Sequence, residues 1–142
     1  MIRTNGRGGN PLPTLGGVAD SVAMGMLDAA AQRVAAGATI AVRPTGTSMI
    51  PLIASRSLVT IAPVDPARVE VGDIVLAKVA GTVYLHLVSA VNHAAGRVQI
   101  SNNRGRVNGW TGYGRVYGIC TAVDGVARPR TATKLRSEAA TD

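Results

Sequence analysis

Beyond Gly37 the chain is a series of short runs rich in valine, isoleucine and threonine, and glycine or proline separates most of them. β-Branched residues favour strands, while glycine and proline clusters end them. Six such runs predict a mainly β domain: residues 39–43, 58–62, 74–79, 83–91, 98–101 and 115–123. Gly81 tolerates the positive φ of a tight turn, so the third and fourth runs should form an antiparallel hairpin around Ala80-Gly81.

The composition limits what can fill the core of such a domain. Hydrophobic residues make up 46% of the chain, but only 3% are aromatic and none is phenylalanine. The core must therefore be built from valine, isoleucine, leucine, alanine and methionine. Cys120 is the single cysteine, which excludes an internal disulfide and a cysteine-rich zinc site. We expect neither a metal nor a cofactor.

The segments around the β domain differ from it in composition. Residues 1–17 are rich in glycine and proline and predict a flexible arm. Residues 18–37 carry apolar positions at helical spacing and end in Gly37, which predicts one N-terminal helix. Residues 38–125 form the predicted antiparallel β barrel. Residues 126–142 lack apolar periodicity and predict a disordered tail.

No segment of the sequence predicts export or membrane insertion. The most apolar long stretch, residues 18–36, is interrupted by Asp20, Asp28 and Arg33, which is typical of a helix in a water-soluble protein. The N-terminal residues contain no apolar run of the kind found in signal peptides. We therefore expect a cytoplasmic location.

The chain is basic, with a net charge of +7 and a pI near 10.8. Basic proteins often bind anionic partners, and the stretch 97–115 is the only plausible nucleic-acid face. It carries Arg104 and Arg106 together with Trp110 and Tyr113, and contains no acidic residue. A solvated hairpin or loop explains the same stretch more simply, so nucleic acid is a candidate partner but not the favoured one. The oligomeric state stays open.

Residues that can carry chemistry lie between the first and second predicted strands. The sequence there reads Gly46-Thr47-Ser48-Met49-Ile50-Pro51. Glycine lets the backbone pass close to a substrate and proline stiffens the exit, so this turn can expose the Ser48 hydroxyl. A serine needs a general base to become a nucleophile. The chain has two histidines, and His86 is the better candidate because a strand fixes it, whereas His93 lies in a loop.

These residues resemble a known superfamily. The box around Ser48, followed by Val71-Gly72-Asp73-Ile74-Val75 and then by Tyr84-Leu85-His86-Leu87-Val88, resembles the signal-peptidase and LexA-like serine peptidases in motif and in order. The interval of 38 residues from Ser48 to His86 is similar to the interval between nucleophile and base in that superfamily. The likeness covers residues 40–123 and points to the variant that uses histidine rather than lysine as base.

The resemblance implies a role for each matching residue. Ser48 would be the nucleophile and His86 the base, with Gly46, Thr47 and Met49 contributing to the oxyanion hole or to substrate binding. The acidic residue expected to orient the histidine is missing, and three asparagines are candidates in its place: Asn102, Asn103 and Asn108. Lys78 is a less favoured substitute for the base, since an exposed strand lysine accounts for it.

Two functions follow from the sequence. The first is a serine endopeptidase that uses Ser48 and His86 to cleave a peptide or protein substrate. The alternative is a catalytically inactive module of the same fold, of phage origin, that regulates or binds another molecule. The intact serine box and histidine strand favour the enzyme, whereas the missing acid favours the module. The cleavage site cannot be read from the sequence.

Overall fold

The structure is a computed structural model that describes residues 19–46 and 48–136, with the backbone alone for residues 19–25. In these residues one α-helix, α1 (Ala19–Ala35), precedes eight strands. The strands are β1 (Ile40–Val42), β2 (Val59–Pro63), β3 (Ile74–Val79), β4 (Thr82–Asn92), β5 (Arg97–Ser101), β6 (Val107–Gly112), β7 (Val116–Val123) and β8 (Val126–Ala127). Short 3-10 helices cover Pro66–Arg68, Tyr113–Arg115 and Ala132–Lys134.

All strand pairs in the described sheet are antiparallel. The order across the sheet is β1-β2-β7-β3-β4-β5-β6, and β8 pairs with the end of β7. The last strand in that order returns towards β3, where the Thr111 hydroxyl donates to the Lys78 carbonyl over 2.7 Å. The prediction of a mainly β, antiparallel fold with one N-terminal helix is confirmed.

The hairpin of β3 and β4 sets the position of the candidate base. Ile74 pairs with Leu87 and Val79 with Thr82, as the sequence predicts for the Ala80-Gly81 turn. Both turn residues have positive φ, 49° for Ala80 and 87° for Gly81, which matches the twist of the flanking strands. The hairpin therefore has one register, and that register places His86 opposite Val75.

Helix α1 ends two residues before the predicted end at residue 37. The Gly37 amide donates to the Val34 carbonyl and the Ala38 amide to the Arg33 carbonyl, both over 3.0 Å. Gly37 has a φ of 109°. This pair of bonds is a Schellman motif, which satisfies the last carbonyls of the helix and turns the chain towards β1.

The sheet is buried on both faces, so two clusters of aliphatic side chains stabilise it. Alternate residues of β3 point to opposite sides: Ile74 and Leu76 pack under α1, while Val75 and Val79 pack inside the coil of the sheet. The first cluster also holds Val34, Ile40, Met49, Ile53, Val59, Ile61 and Leu85, and the second holds Val69, Val88, Val98, Ile100, Val116 and Ile119.

Gly118 in β7 allows α1 to lie against the sheet. A Cβ at this position would come within 2.6 Å of Val34 Cγ1 and 2.8 Å of Ile61 Cγ2. We expect Gly118→Ala to lower the free energy of unfolding by about 2–3 kcal/mol, because the buried neighbours must shift. Gly114→Ala is the matched control, since a Cβ there meets nothing within 4 Å. Equal urea midpoints for the two variants would contradict this packing.

The C-terminal segment differs from the predicted disordered tail of residues 126–142. Strand β8 and the 3-10 helix Ala132–Lys134 give residues 126–136 defined structure, while residues 137–142 lie outside the described residues. Lys134 is only 4% exposed, and its ammonium donates to both carboxylate oxygens of Asp73 over 2.8 and 2.9 Å. A polar contact with Asp73, 61 positions earlier in the chain, helps to hold this segment. The sequence near Lys134 therefore contains no apolar pattern that predicts its structure.

Candidate active site

Ser48 lies in the loop between β1 and β2, and two buried side chains hold that loop. Met49 and Ile53 are 5% and 4% exposed and belong to the core under α1. The Ile53 amide donates to the Met49 carbonyl over 2.9 Å, which closes one turn between them. Because both neighbours are anchored, the half-buried Ser48 is held at the surface of the core.

Asn103 fixes the same loop from the opposite side. Its backbone amide donates to the Ser48 carbonyl and its side-chain amide to the Ile50 carbonyl, each over 2.8 Å. Asn103 lies in the connection between β5 and β6, so this connection and the Ser48 loop are held together. Asn103 is one of the three candidates for orienting the histidine, and its side chain is instead committed to the loop.

Asn102 has a local role as well. Its side-chain oxygen accepts from the amides of Arg104 and Arg106, both over 2.9 Å, and shapes the turn from β5 to β6. Such bonds from an asparagine to its own following backbone are typical of turns. Asn102, the second of the three candidates for orienting the histidine, therefore uses its side-chain oxygen in this turn.

His86 meets Ser48 although the two residues are 38 positions apart. The Ser48 Oγ lies 3.2 Å from His86 Nε2, within hydrogen-bond reach. The imidazole also stacks on the ring of Tyr84, two residues earlier on the same face of β4, with ring centroids 5.0 Å apart and planes inclined at 27°. The hydroxyl and the aromatic ring together define the orientation of the imidazole.

A bulge in β6 supplies the other partner of His86. Ser101 pairs with Val107 and Ile100 with Gly109, so Asn108 is an extra residue between two pairs. Bulges change the direction of a side chain and often lie beside functional sites. Here the Asn108 side-chain oxygen lies 2.7 Å from His86 Nδ1. Of the three candidate asparagines, Asn108 is the one that contacts the imidazole.

These contacts assign the hydrogen on the ring. An amide oxygen is only an acceptor, so Nδ1 carries the hydrogen and donates it to Asn108, and Nε2 is left to accept from the Ser48 hydroxyl. Burial lowers the pKa of His86 below its ordinary value of 6.5, and the hydrogen bond with Asn108 opposes that shift only in part. The imidazole is therefore neutral at pH 7 and has the protonation state of a base.

Of the three residues predicted to bind the oxyanion or the substrate, two line the pocket beside Ser48 and one lies outside the described residues. Gly46 lines the pocket beside Ser48, but its amide already donates to the Ser55 hydroxyl over 3.2 Å and is not available to an oxyanion in this arrangement. Met49 lines the same pocket with its buried side chain. Thr47 lies outside the described residues.

A mainly apolar pocket with a volume of about 90 Å³ lies next to the serine and the histidine. Its walls come from α1, from the Ser48 loop and from β4, and comprise Leu27, Pro44, Thr45, Gly46, Ser48, Met49, Ile53, Ala54, Tyr84, Leu85 and His86. An apolar cavity with a few polar groups at one side is typical of a ligand site. The hydroxyl of Ser48 thus faces a space that can hold a side chain of a bound molecule.

The other candidates from the sequence lie elsewhere. His93 is in the turn after β4, and its Nδ1 lies 2.7 Å from the Tyr113 hydroxyl. Lys78 is on β3 opposite Val83 and lines a separate groove together with Asp28. Of the two histidines, His86 is the one that contacts Ser48.

The Asn103 contacts and the Tyr84 stack were not predicted from the sequence. The position of Tyr84 beside His86 could have been predicted, because residues two apart on a strand lie on the same face. No comparable signal marks Asn103, whose bonds depend on how the β5–β6 connection folds over the Ser48 loop.

The helix, the antiparallel sheet and the serine box held against β4 define a protein with a peptidase-like fold. The family model described as Peptidase S24-like matches residues 14–104, and the chain belongs to that family. Asn108 lies just beyond the matched residues. Comparison with curated proteins and with solved structures finds no match.

None of the helices in the described residues is both long and apolar enough to cross a membrane. Among the same residues, no group of three or more histidine, cysteine, aspartate or glutamate side chains is arranged to hold a metal ion.

Proposed function

We propose that the protein is a serine endopeptidase in which Ser48 is the nucleophile, His86 the general base and Asn108 the residue that orients the base. The observation that carries this proposal is the chain of two contacts through the imidazole, 3.2 Å from Ser48 and 2.7 Å to Asn108. Three residues from three separate segments meet in the order that nucleophilic catalysis requires. The substrate is a peptide or protein, and a cytoplasmic location is part of this proposal.

The reaction follows from the positions of the atoms. Ser48 Oγ attacks the carbonyl carbon of the scissile bond while its proton moves to His86 Nε2. The tetrahedral intermediate collapses when the imidazolium returns that proton to the leaving amine, which leaves an ester on Ser48. Water then attacks the ester with the same base, and the acid product departs with Ser48 restored.

Asn108 makes this dyad different from one that is completed by a carboxylate. Its amide oxygen holds the Nδ1 hydrogen and the ring orientation, but it has no charge to stabilise the imidazolium. Burial lowers the pKa of His86, and the neutral Asn108 amide opposes that shift only in part. The base is thus weak but unprotonated over the whole neutral range.

The pH dependence tests this assignment. We expect kcat/KM to rise with pH and reach a plateau, because only neutral imidazole accepts the Ser48 proton, with a midpoint below 6.5. Asn108→Asp puts a carboxylate against Nδ1, which favours the imidazolium and should move the midpoint upwards by about one unit or more. An unchanged midpoint in that variant would mean that residue 108 does not act on the base. Asn102→Asp is the matched control.

The activity itself is tested with a mixed peptide library analysed by mass spectrometry. The wild-type protein should generate new peptide termini, and Ser48→Ala at the same concentration should generate none. Identical peptide patterns for the two proteins would support the alternative, an inactive module with a peptidase fold that binds another molecule.

A further inference from the structure

The segments that carry Ser48, His86 and Asn108 contain no acidic residue, although Asp28 of α1 follows the pocket residue Leu27. Ser48 lies within residues 29–64, and His86 and Asn108 lie within residues 74–123, and neither stretch contains an aspartate or glutamate. The two stretches carry eight basic residues, whereas the net charge of the whole chain is +7. These are Arg33, Arg43, Arg56, Lys78, Arg97, Arg104, Arg106 and Arg115. The site therefore lies in a positive field.

Two of these arginines, Arg43 and Arg56, lie within two residues of the pocket residues Pro44 and Ala54, and we call them the rim. The Arg56 amide donates to the carbonyl of Pro44 over 2.7 Å, and Pro44 lines the pocket. The Arg43 guanidinium donates to the Arg56 carbonyl over 2.9 Å. Both side chains are exposed, and this bond uses one of the five N–H donors of Arg43.

The backbone at Arg56 indicates that the fold does not need this side chain. Its φ is 69°, a left-handed conformation that glycine adopts more easily than any residue with a Cβ. The two hydrogen bonds at this position come from the backbone, so glycine would keep both. A strained position that carries an exposed guanidinium beside a pocket is a candidate for function rather than for stability.

Arg106 lies in the connection between β5 and β6, which also contacts the Ser48 loop. Its backbone is fixed by Asn102, in the connection that also carries Asn103 against the Ser48 carbonyl. Two residues later the chain reaches Asn108, which contacts His86. The exposed Arg106 side chain therefore projects from a short segment held at both ends by the site.

We propose that the site selects peptides with acidic side chains near the scissile bond, an inference that rests on the proposed peptidase function. An extended peptide advances roughly 3.3 Å per residue, so carboxylates two or three residues from the bond can reach exposed arginines on the segments that carry Ser48 and Asn108. Guanidinium groups bind carboxylates with paired hydrogen bonds. Asp28, which follows the pocket residue Leu27, lines the separate groove with Lys78.

The binding test uses the Ser48→Ala protein and two fluorescent peptides. Both have alanine at the centre, and one has two glutamates on each side where the other has glutamines. We expect the glutamate peptide to bind about tenfold tighter at low salt, with most of the difference lost at 0.5 M salt because the arginines are exposed. Equal affinities at low salt would overturn the proposal.

Variants test whether Arg43 and Arg56 cause the preference for the glutamate peptide. Arg56→Gly alone should leave the melting temperature the same or raise it, and Arg43→Gln combined with Arg56→Gly should remove most of the preference for glutamate. Arg97→Gln removes the same kind of charge from an exposed position opposite Asn92, about 20 Å along β4 from His86, and should keep the preference. An equal loss in both proteins would overturn the assignment to the rim.

The outcomes separate this proposal from the peptidase function. Library cleavage without enrichment of acidic residues near the cut overturns the substrate preference and leaves the peptidase standing. Tight, rim-dependent binding of the glutamate peptide without any cleavage overturns the peptidase and leaves the acidic preference standing. Duplex DNA that binds at least as tightly as the glutamate peptide, and with the same dependence on Arg43 and Arg56, would overturn the peptide preference in favour of nucleic acid.

Discussion

Ser48→Ala and His86→Ala are each expected to reduce kcat/KM for a cleaved peptide by about 10⁴-fold or more. Without the hydroxyl no acyl-enzyme forms, and without the imidazole the hydroxyl keeps its proton. Because the two groups act as one unit across the 3.2 Å contact, the double variant should be no slower than the single ones. Steady-state kinetics on a peptide from the library measures all three.

Two controls match these variants in residue type. Ser55→Ala alters a serine of the same loop, whose hydroxyl accepts from the Gly46 amide, and should cost far less activity. His93→Ala removes the other histidine, which contacts Tyr113 away from the site, and should leave kcat/KM near the wild-type value. A His86→Ala protein with wild-type activity would exclude the dyad.

Lys134→Met is expected to lower the free energy of unfolding by about 3–5 kcal/mol, because it leaves the 8%-exposed Asp73 without its cation. Burial lowers the pKa of Lys134, but the hydrogen bonds and charges of Asp73 and Glu70 outweigh burial and raise it overall. The ammonium is therefore charged up to pH values above 10.5, and its contribution is lost only as the pH rises further. Urea unfolding at pH 7 measures the change.

The exposed ion pair of Arg68 and Asp65 is the control for this effect. Its side chains are 63% and 40% exposed, and Arg68 also donates to the Thr133 carbonyl over 3.0 Å, so Arg68→Gln should cost about 1 kcal/mol. Asp73→Asn combined with Lys134→Met removes the uncompensated charge and should recover part of the stability. A Lys134→Met protein as stable as Arg68→Gln would show that the C-terminal segment does not depend on this pair.

Local patterns predict much of this fold. Strand β3 matches its predicted bounds, and the Ala80-Gly81 turn fixes the hairpin because its backbone needs are local. The sequence does not predict strand β6, because its residues include two glycines and an asparagine, which normally indicate a loop. This strand forms because its backbone pairs with the edge of β5, and the bulge at Asn108 accommodates the one extra residue in the pairing.

The candidate site could be predicted only in part for a related reason. The pair of Ser48 and His86 follows from motif order and spacing. Nothing in the sequence separates Asn108 from Asn102 and Asn103, which have the same chemistry and lie within a few residues of it. The bulge and the turn register decide which one reaches the imidazole, and both depend on pairing with β5.

Labelling of Ser48 by diisopropyl fluorophosphate tests the central claim most directly, because it requires no knowledge of the substrate. The serine oxygen displaces fluoride from phosphorus only when a base removes its proton, so the label reports activation of this hydroxyl. We predict one adduct per chain, located on Ser48 by peptide mass spectrometry, that forms faster as the pH rises and is absent in His86→Ala. Labelling of Ser48 at the same rate in wild type and His86→Ala, or no adduct in either, would contradict the proposed dyad.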